Sequence, residues 1–243
     1  MARPDFIELP DGERFSILHE DRSVMAIDKP PGWMLVPYSW QNTARNLQAA
    51  LQSAIAAGGF WARSRGLKFL RHVHRLDADT SGVLLLARSQ GAVHAFSDLF
   101  ESRKMEKVYL AVVVGRPRQR QWVCRLKIGR DPRRIGKMEI GGRNGKSAET
   151  HFKVVESGEK FSLVEARPVT GRTHQIRLHL AASGAPIAGD ELYGRAGIGL
   201  PLGLRAVALS YVDPFTGKPV KIVAPEEQFL TDFGFKKQGG LKK

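Results

Sequence analysis

The chain of 243 residues is 42% hydrophobic and 26% charged, and Cys124 is its only cysteine. A single cysteine excludes an intrachain disulfide, and no run approaches the ~20 apolar residues that a membrane-spanning helix requires. Lys and Arg number 38 against 24 Asp and Glu, a net charge of +14, which points to a polyanionic partner, nucleic acid ahead of an acidic membrane surface. With Asp5 and Glu8 where a secretory leader would be apolar, the expectation is a soluble, cytoplasmic protein.

Residues 1–14 are polar, carry Pro4, Pro10 and Gly12, and are expected to form a short extension. Apolar runs at 15–19 and 24–28 flank Glu20-Asp21-Arg22-Ser23 and predict a hairpin. Lys29-Pro30-Pro31-Gly32 then forces a turn. After Asn42 or Thr43, either of them a competent N-cap, Leu47, Ala50, Leu51, Ala54 and Ile55 fall at helical spacing, and Gly58-Gly59 ends the helix. Residues 59–66 read as a loop.

The next stretch is the densest in chemistry. Val73-His74-Arg75-Leu76-Asp77-Ala78-Asp79-Thr80-Ser81-Gly82 runs directly into Val83-Leu84-Leu85-Leu86-Ala87, a polar loop at the mouth of a buried strand. Charged groups in such a place cost desolvation energy unless they pair with one another or with a ligand. Ser89 can cap a helix whose apolar face is Val93, Phe96, Leu99 and Phe100. A second strand run covers 107–114, residues 115–149 form a Gly- and Arg-rich basic meander with short strand candidates around Trp122–Leu126, and 150–156 and 161–167 pair around Ser157-Gly158. Thr170-Gly171-Arg172 turns into a helix from about Thr173 to Ala182, stopped by Gly184. A last hairpin joins 207–212 to 220–223, and a basic tail from 230 to 243 is expected to be disordered.

Several motif matches fail. Asp77, Asp79, Ser81 and Gly82 imitate a calcium loop, but Arg88 stands where the bidentate Glu belongs. Gly145-Lys146-Ser147 lacks the first glycine of a phosphate loop, that position being Ile140. His72, His74, His174 and His179 have no Cys or carboxylate at ligand spacing, so no metal site is assigned. What survives is a pair of polar segments, 74–82 and Gly171-Arg172-Thr173-His174-Gln175-Ile176-Arg177, the second placing Arg172, His174 and Arg177 at a helix start that favours anions.

His74-Arg75-Leu76-Asp77-x-x-Thr80-Ser81-Gly82 resembles the signature of the RluA-type RNA pseudouridine synthases. The likeness extends to residues 17–21 with Asp28-Lys29-Pro30-Pro31-Gly32, to Lys107-Val108-Tyr109-Leu110-Ala111, to 171–177, and to Gly189-Asp190-x-x-Tyr193-Gly194. It departs at Ala185-Pro186-Ile187, where His-Pro-Ile or His-Pro-Leu is usual, and in 115–149, which matches no family signature.

The resemblance implies isomerisation of uridine in ribosomal or transfer RNA, by breaking the N1–C1′ bond and rejoining the uracil through C5, with no cofactor and no metal. It implies that Asp77 is the catalytic carboxylate, acting as a nucleophile at C1′ or as a base at C2′. Arg177 is its candidate cation, since a nearby positive charge opposes neutralisation of a buried acid. Tyr109 would stack on the uracil, Arg75 would brace the gap left by a flipped base, and Arg172 and His174 would contribute to substrate binding. The expected fold is α+β, with a mixed, largely antiparallel central sheet flanked by helices and a catalytic cleft across it. The catalytic domain would cover 15–229 of a monomer with no membrane attachment. A catalytically inactive RNA-binding or chaperone protein on the same fold is the alternative, and a nuclease is disfavoured because it would want a metal site.

Overall fold

The computed structural model describes residues 3–35, 45–142, 144–194 and 199–236. The chain divides into two compact units, one of Met1–Met105 with Ala208–Ala224, the other of Glu106–Val207 with Pro225–Lys243. The first begins with β1 (Phe6–Glu8), β2 (Arg14–Glu20) and β3 (Val24–Lys29), followed by α1 (Leu47–Ala56), α2 (Phe60–Arg63), β4 (Arg71–His72), β5 (Ser81–Ala87) and α3 (Gln90–Glu101). β1, β2, β3 and β5 pair antiparallel in that order, and β4 lies against the end of β5. The five apolar residues of β5 are fully buried. One face of β3 and β5, with Val24, Ala26, Val83 and Leu85, packs on Ala92 and Phe96 of α3. Ser89 caps α3 as expected, its hydroxyl accepting from the Ala92 N–H at 3.2 Å.

The second unit is built on β6 (Glu106–Val114), β7 (Gln121–Cys124), β8 (Ile128–Arg130), β9 (Met138–Ile140), β10 (Thr150–Ser157), β11 (Phe161–Pro168) and α4 (Gln175–Ala182). β6, β11, β10 and β7 pair antiparallel, while β8 and β9 form a separate hairpin. Alternate residues of a strand face opposite sides, and β6 buries both. Ala111 and Val113 join Ile176 and Leu180 of α4. Leu110 and Val112 join the C-terminal aromatics on the other face. That two-sided burial explains the unbroken apolar run in the sequence. The chain then forms β12 (Leu204–Val212), β13 (Pro219–Val223) and α5 (Glu227–Asp232). Residues Ala208 to Val212 pair with β13, and Leu209, Tyr211 and Ile222 complete the first unit's core. The result is the α+β, largely antiparallel fold that the sequence led us to expect. No helix among the described residues is long and apolar enough to cross a membrane.

The packing departs from the sequence expectation at several points. Residues 59–66 contain the short helix α2, because Trp61 is buried and donates its indole N–H to the Glu8 carbonyl at 2.9 Å. The short N-terminal extension packs on the first unit, since β1 pairs with β2 and Ile7 and Leu9 are buried. The observed N-cap of α1 is Asn46, whose side chain accepts from the Ala49 N–H; Asn42 and Thr43 lie outside the described residues. Within the basic meander β7 falls where strand candidates were expected, and the β8–β9 hairpin is the part the sequence did not mark.

The tail boundary at 230 also moves, because Leu230, Phe233 and Phe235 are buried against β6 and β11. Phe233 meets Phe161 edge-on with ring centroids 6.3 Å apart. Truncating such an aromatic costs about 3–5 kcal/mol. Phe233→Ala should therefore shift the denaturant midpoint strongly, whereas a disordered tail would leave it unchanged.

Candidate active site

The loop carrying Asp77 joins β4 to β5 in the first unit. Asp77 is half-buried, Arg75 and Asp79 are exposed, and Leu76 anchors the loop in the core. The Thr80 N–H closes a turn on the Asp77 carbonyl at 3.2 Å. The chief anchor comes from the turn after β3. Lys29 is fully buried at the end of that strand, and its ammonium donates to the carbonyls of Ala78 (2.7 Å), Thr80 (2.9 Å) and Pro30 (3.0 Å). The Gly32 N–H adds a 2.9 Å bond to the same Ala78 carbonyl, from a backbone at φ +83° that favours glycine. Burial pulls the Lys29 ammonium down to about 8, against the raising influence of Asp79 and Asp77. His74 braces the loop from the other side. Its Nε2 accepts from the Leu85 N–H at 3.0 Å, and its ring stacks on Phe100 at 4.5 Å. That contact suits a supporting residue.

In the second unit, Arg172, His174 and Arg177 gather around the start of α4. Gln175 organises this corner. Its Oε1 accepts from the Thr170 hydroxyl (2.7 Å) and the Arg172 N–H (2.9 Å), and its Nε2 donates to the Glu149 carbonyl and the Thr150 hydroxyl, both at 2.9 Å. Arg172 reaches the Ser147 carbonyl at 3.1 Å. His174 sits at φ +56° in the left-handed region, a strained choice for a non-glycine residue. It is held there beside Tyr193, with 2.8 Å between Nδ1 and the phenol oxygen. Arg177 is buried and forms a two-bond ion pair with Asp190, Nε to Oδ2 and Nη2 to Oδ1, each 2.8 Å. Burial alone would raise the Asp190 carboxyl, but Arg177 and the backbone N–H groups of Tyr193 and Leu192 hold it below the usual range. The Arg177 guanidinium also lies 5.4 Å from the Tyr193 ring centroid.

Tyr109, on β6, packs half-buried against the apolar cluster that includes Ile176 and Leu180 of α4. Two residues before it, Lys107 donates to the Thr170 carbonyl at 3.2 Å, and burial lowers its ammonium to about 8 as well. Lys29, Lys107, Gln175 and Asp190 carry no proposed role on the sequence alone. The signal for each was present only as membership of a motif block. The other tempting histidines have structural partners: His72 bonds Gln48 at 2.8 Å, and His179 bonds Thr150 and the Leu126 carbonyl at 3.0 Å each. Among the described residues no group of three His, Cys, Asp or Glu side chains is arranged to hold a metal.

Residues 23–182 match the family described as RNA pseudouridylate synthase. Ribosomal large subunit pseudouridine synthase C from Salmonella typhimurium and from Escherichia coli are each 37% identical over 230 residues, covering 88% of this chain and 67% of theirs. Among solved structures, human RNA pseudouridylate synthase domain containing 4 aligns over 89% of this chain and 90% of its own, at 26% identity and TM-score 0.70. Human RNA pseudouridylate synthase domain containing 1 aligns over 87% and 83%, at 28% identity and TM-score 0.69. The chain belongs to the RNA pseudouridylate synthase family, in its RluA-type branch.

Two expectations follow from the anchors. A neutral amine has two N–H groups for three carbonyls, so deprotonating Lys29 slackens the Asp77 loop. Turnover should fall on the alkaline side with a midpoint near 8, and Lys29→Met should be low throughout and lack that limb. Leaving buried carbonyls without a donor costs about 1–3 kcal/mol, enough for a tenfold loss of kcat. Because the folded-state value lies below that of a free lysine, this group adds global stability as pH rises above 8. A melt across the same range therefore separates loop loosening from unfolding. For the second anchor, Asp190→Asn strands a buried guanidinium and should cost about 3–5 kcal/mol at neutral pH. The depressed carboxyl makes its contribution above about pH 4, so the gap between wild type and variant should close as pH falls through its lower folded value. Paired denaturant melts across the acid range would read it.

Proposed function

We propose that this chain converts uridine to pseudouridine in large-subunit ribosomal RNA. The observation that carries the reading is the Asp77 loop, set within the family's motif and fixed by bonds to its main chain from Lys29 and Gly32. A reacting group gains most when it is preorganised on a rigid element, since orientation is then paid before the substrate arrives. Asp77 attacks or deprotonates the ribose of a uridine turned out of its stack. Tyr109, half-buried on β6, stacks on the uracil. Arg177 supplies the positive charge that favours the ionised carboxylate, its orientation set by Asp190. Arg75, exposed at the loop, fills the space left by the base, and Arg172 binds the RNA backbone near the start of α4, where His174, expected to bind RNA itself, is buried beside Tyr193 and supports that corner instead.

The relatives named for the ribosomal large subunit support that RNA over transfer RNA. The charge excess of +14 supports a phosphate-rich partner. Pseudouridine mapping of total RNA from cells with and without the gene tests the proposal. One or a few large-subunit sites should vanish with the gene and return with the intact protein but not with Asp77→Asn. Restoration by Asp77→Asn would remove Asp77 from the chemistry. Loss confined to transfer RNA would overturn the target. An unchanged map, with RNA binding retained, would leave a binding protein.

A further inference from the structure

The β8–β9 hairpin ends in an apolar residue that nothing among the described residues covers. Ile135 is 99% exposed, whereas the next most exposed large hydrophobics among the described residues, Phe215 and Val223, stand at 57%. Its neighbours are Arg133 and Arg134, both exposed. A mobile loop would give such a display little meaning, but this tip is built. The Asp131 N–H bonds the Lys137 carbonyl at 3.0 Å, the Arg133 N–H bonds the Asp131 carboxylate at 2.9 Å, and the Lys137 N–H bonds the Arg134 carbonyl at 3.2 Å. Gly136 takes φ +81° to complete the turn.

The base of the hairpin is equally fixed. Ile128 and Ala148 pack on Leu178 of α4, with Met138, Ile140 and Tyr193 around them. The Met138 N–H donates to the Tyr193 hydroxyl at 2.9 Å, the same hydroxyl that contacts His174. The Lys137 ammonium lies 5.4 Å from the Tyr193 ring centroid. The tip is thus tied through Tyr193 to the residues at the start of α4.

We propose that Ile135 is a wedge that packs on the face of an unstacked base in the substrate RNA, with Arg133 and Arg134 holding the flanking phosphates. The inference rests on the function proposed above and adds a specificity element to it. Nucleic acid is the partner that presents apolar base faces between closely spaced anions, and aliphatic side chains are known to wedge against bases in this way. The paired guanidinium groups disfavour a second copy of the chain or a bare apolar protein patch. The narrow major groove of A-form RNA does not admit side chains, so the surface read would be a loop, bulge or junction.

The test uses full-length enzyme and a protein-free, unmodified large-subunit ribosomal RNA transcript. Ile135→Ala should raise KM by about tenfold, the size of one lost base contact, with kcat little changed and the salt dependence of binding unaltered. Ile135→Leu should restore KM. Arg133→Ala combined with Arg134→Ala should weaken binding and flatten the plot of log affinity against log salt by roughly 1.5, as for two lost phosphate contacts. Since Ile135 makes no packing contact to lose, Ile135→Ala should melt as the wild type does. Wild-type KM in Ile135→Ala would overturn the inference while leaving the function intact. So would a defect seen only on assembled ribosomal particles, because the tip would then meet a protein. An inactive wild type would instead refute the proposed function, which keeps the two failures apart.

Discussion

A lysine ammonium with no exposure to water, placed at the end of β3, is the constraint on which the first unit's candidate chemistry depends. Desolvating that charge is unfavourable by several kcal/mol. The three carbonyls that face Lys29 offset the cost by giving each N–H an acceptor. Two of those carbonyls, Ala78 and Thr80, bracket the turn that follows Asp77. Ion burial and loop shape are therefore one arrangement. The lysine is tolerable because the loop is folded, and the loop holds its shape because the lysine is there. The positive charge also sits near Asp77 and Asp79.

The second unit solves a similar problem with neutral groups and one internal ion pair. Gln175 uses both lone-pair directions and both N–H groups of its amide, so a buried polar side chain leaves nothing unsatisfied. The Arg177–Asp190 pair fixes a guanidinium plane by two parallel bonds, a geometry lysine could not reproduce. With the polar frame so determined, His174 is retained in a left-handed conformation that an isolated peptide would leave.

Much of this was legible in the sequence, and the gaps have physical causes. The hairpin at β2–β3, the buried β5, the Ser89 cap and the β10–β11 pair announce themselves through local patterns, and the structure has them. The family was readable because several motif blocks occur in order along the chain. The Lys29 anchor was not readable, because its acceptors are main-chain carbonyls about fifty residues away, and carbonyls carry no residue identity. Asp190 lay inside a motif, but its partner thirteen residues back is set by how α4 and the following loop fold together. The helix α5 escaped because six residues beside a basic tail give too little periodicity. Its burial is decided by a pocket on β6 and β11 that the tail itself completes. At α2, a buried Trp imposed order where composition suggested a loop.

The way the chain revisits its two units bears on its synthesis. Leu209, Tyr211 and Ile222 belong to a core begun by Val24 and Val83, and Phe229, Leu230 and Phe233 belong to one begun by Leu110 and Val112. Proteins made of consecutive domains can finish each one in turn as it leaves the ribosome. Here neither of these two clusters is complete until residues 209–235 have emerged. The nascent chain carries two unfinished apolar surfaces until then, the first completed at Ala224 and the second at Phe235.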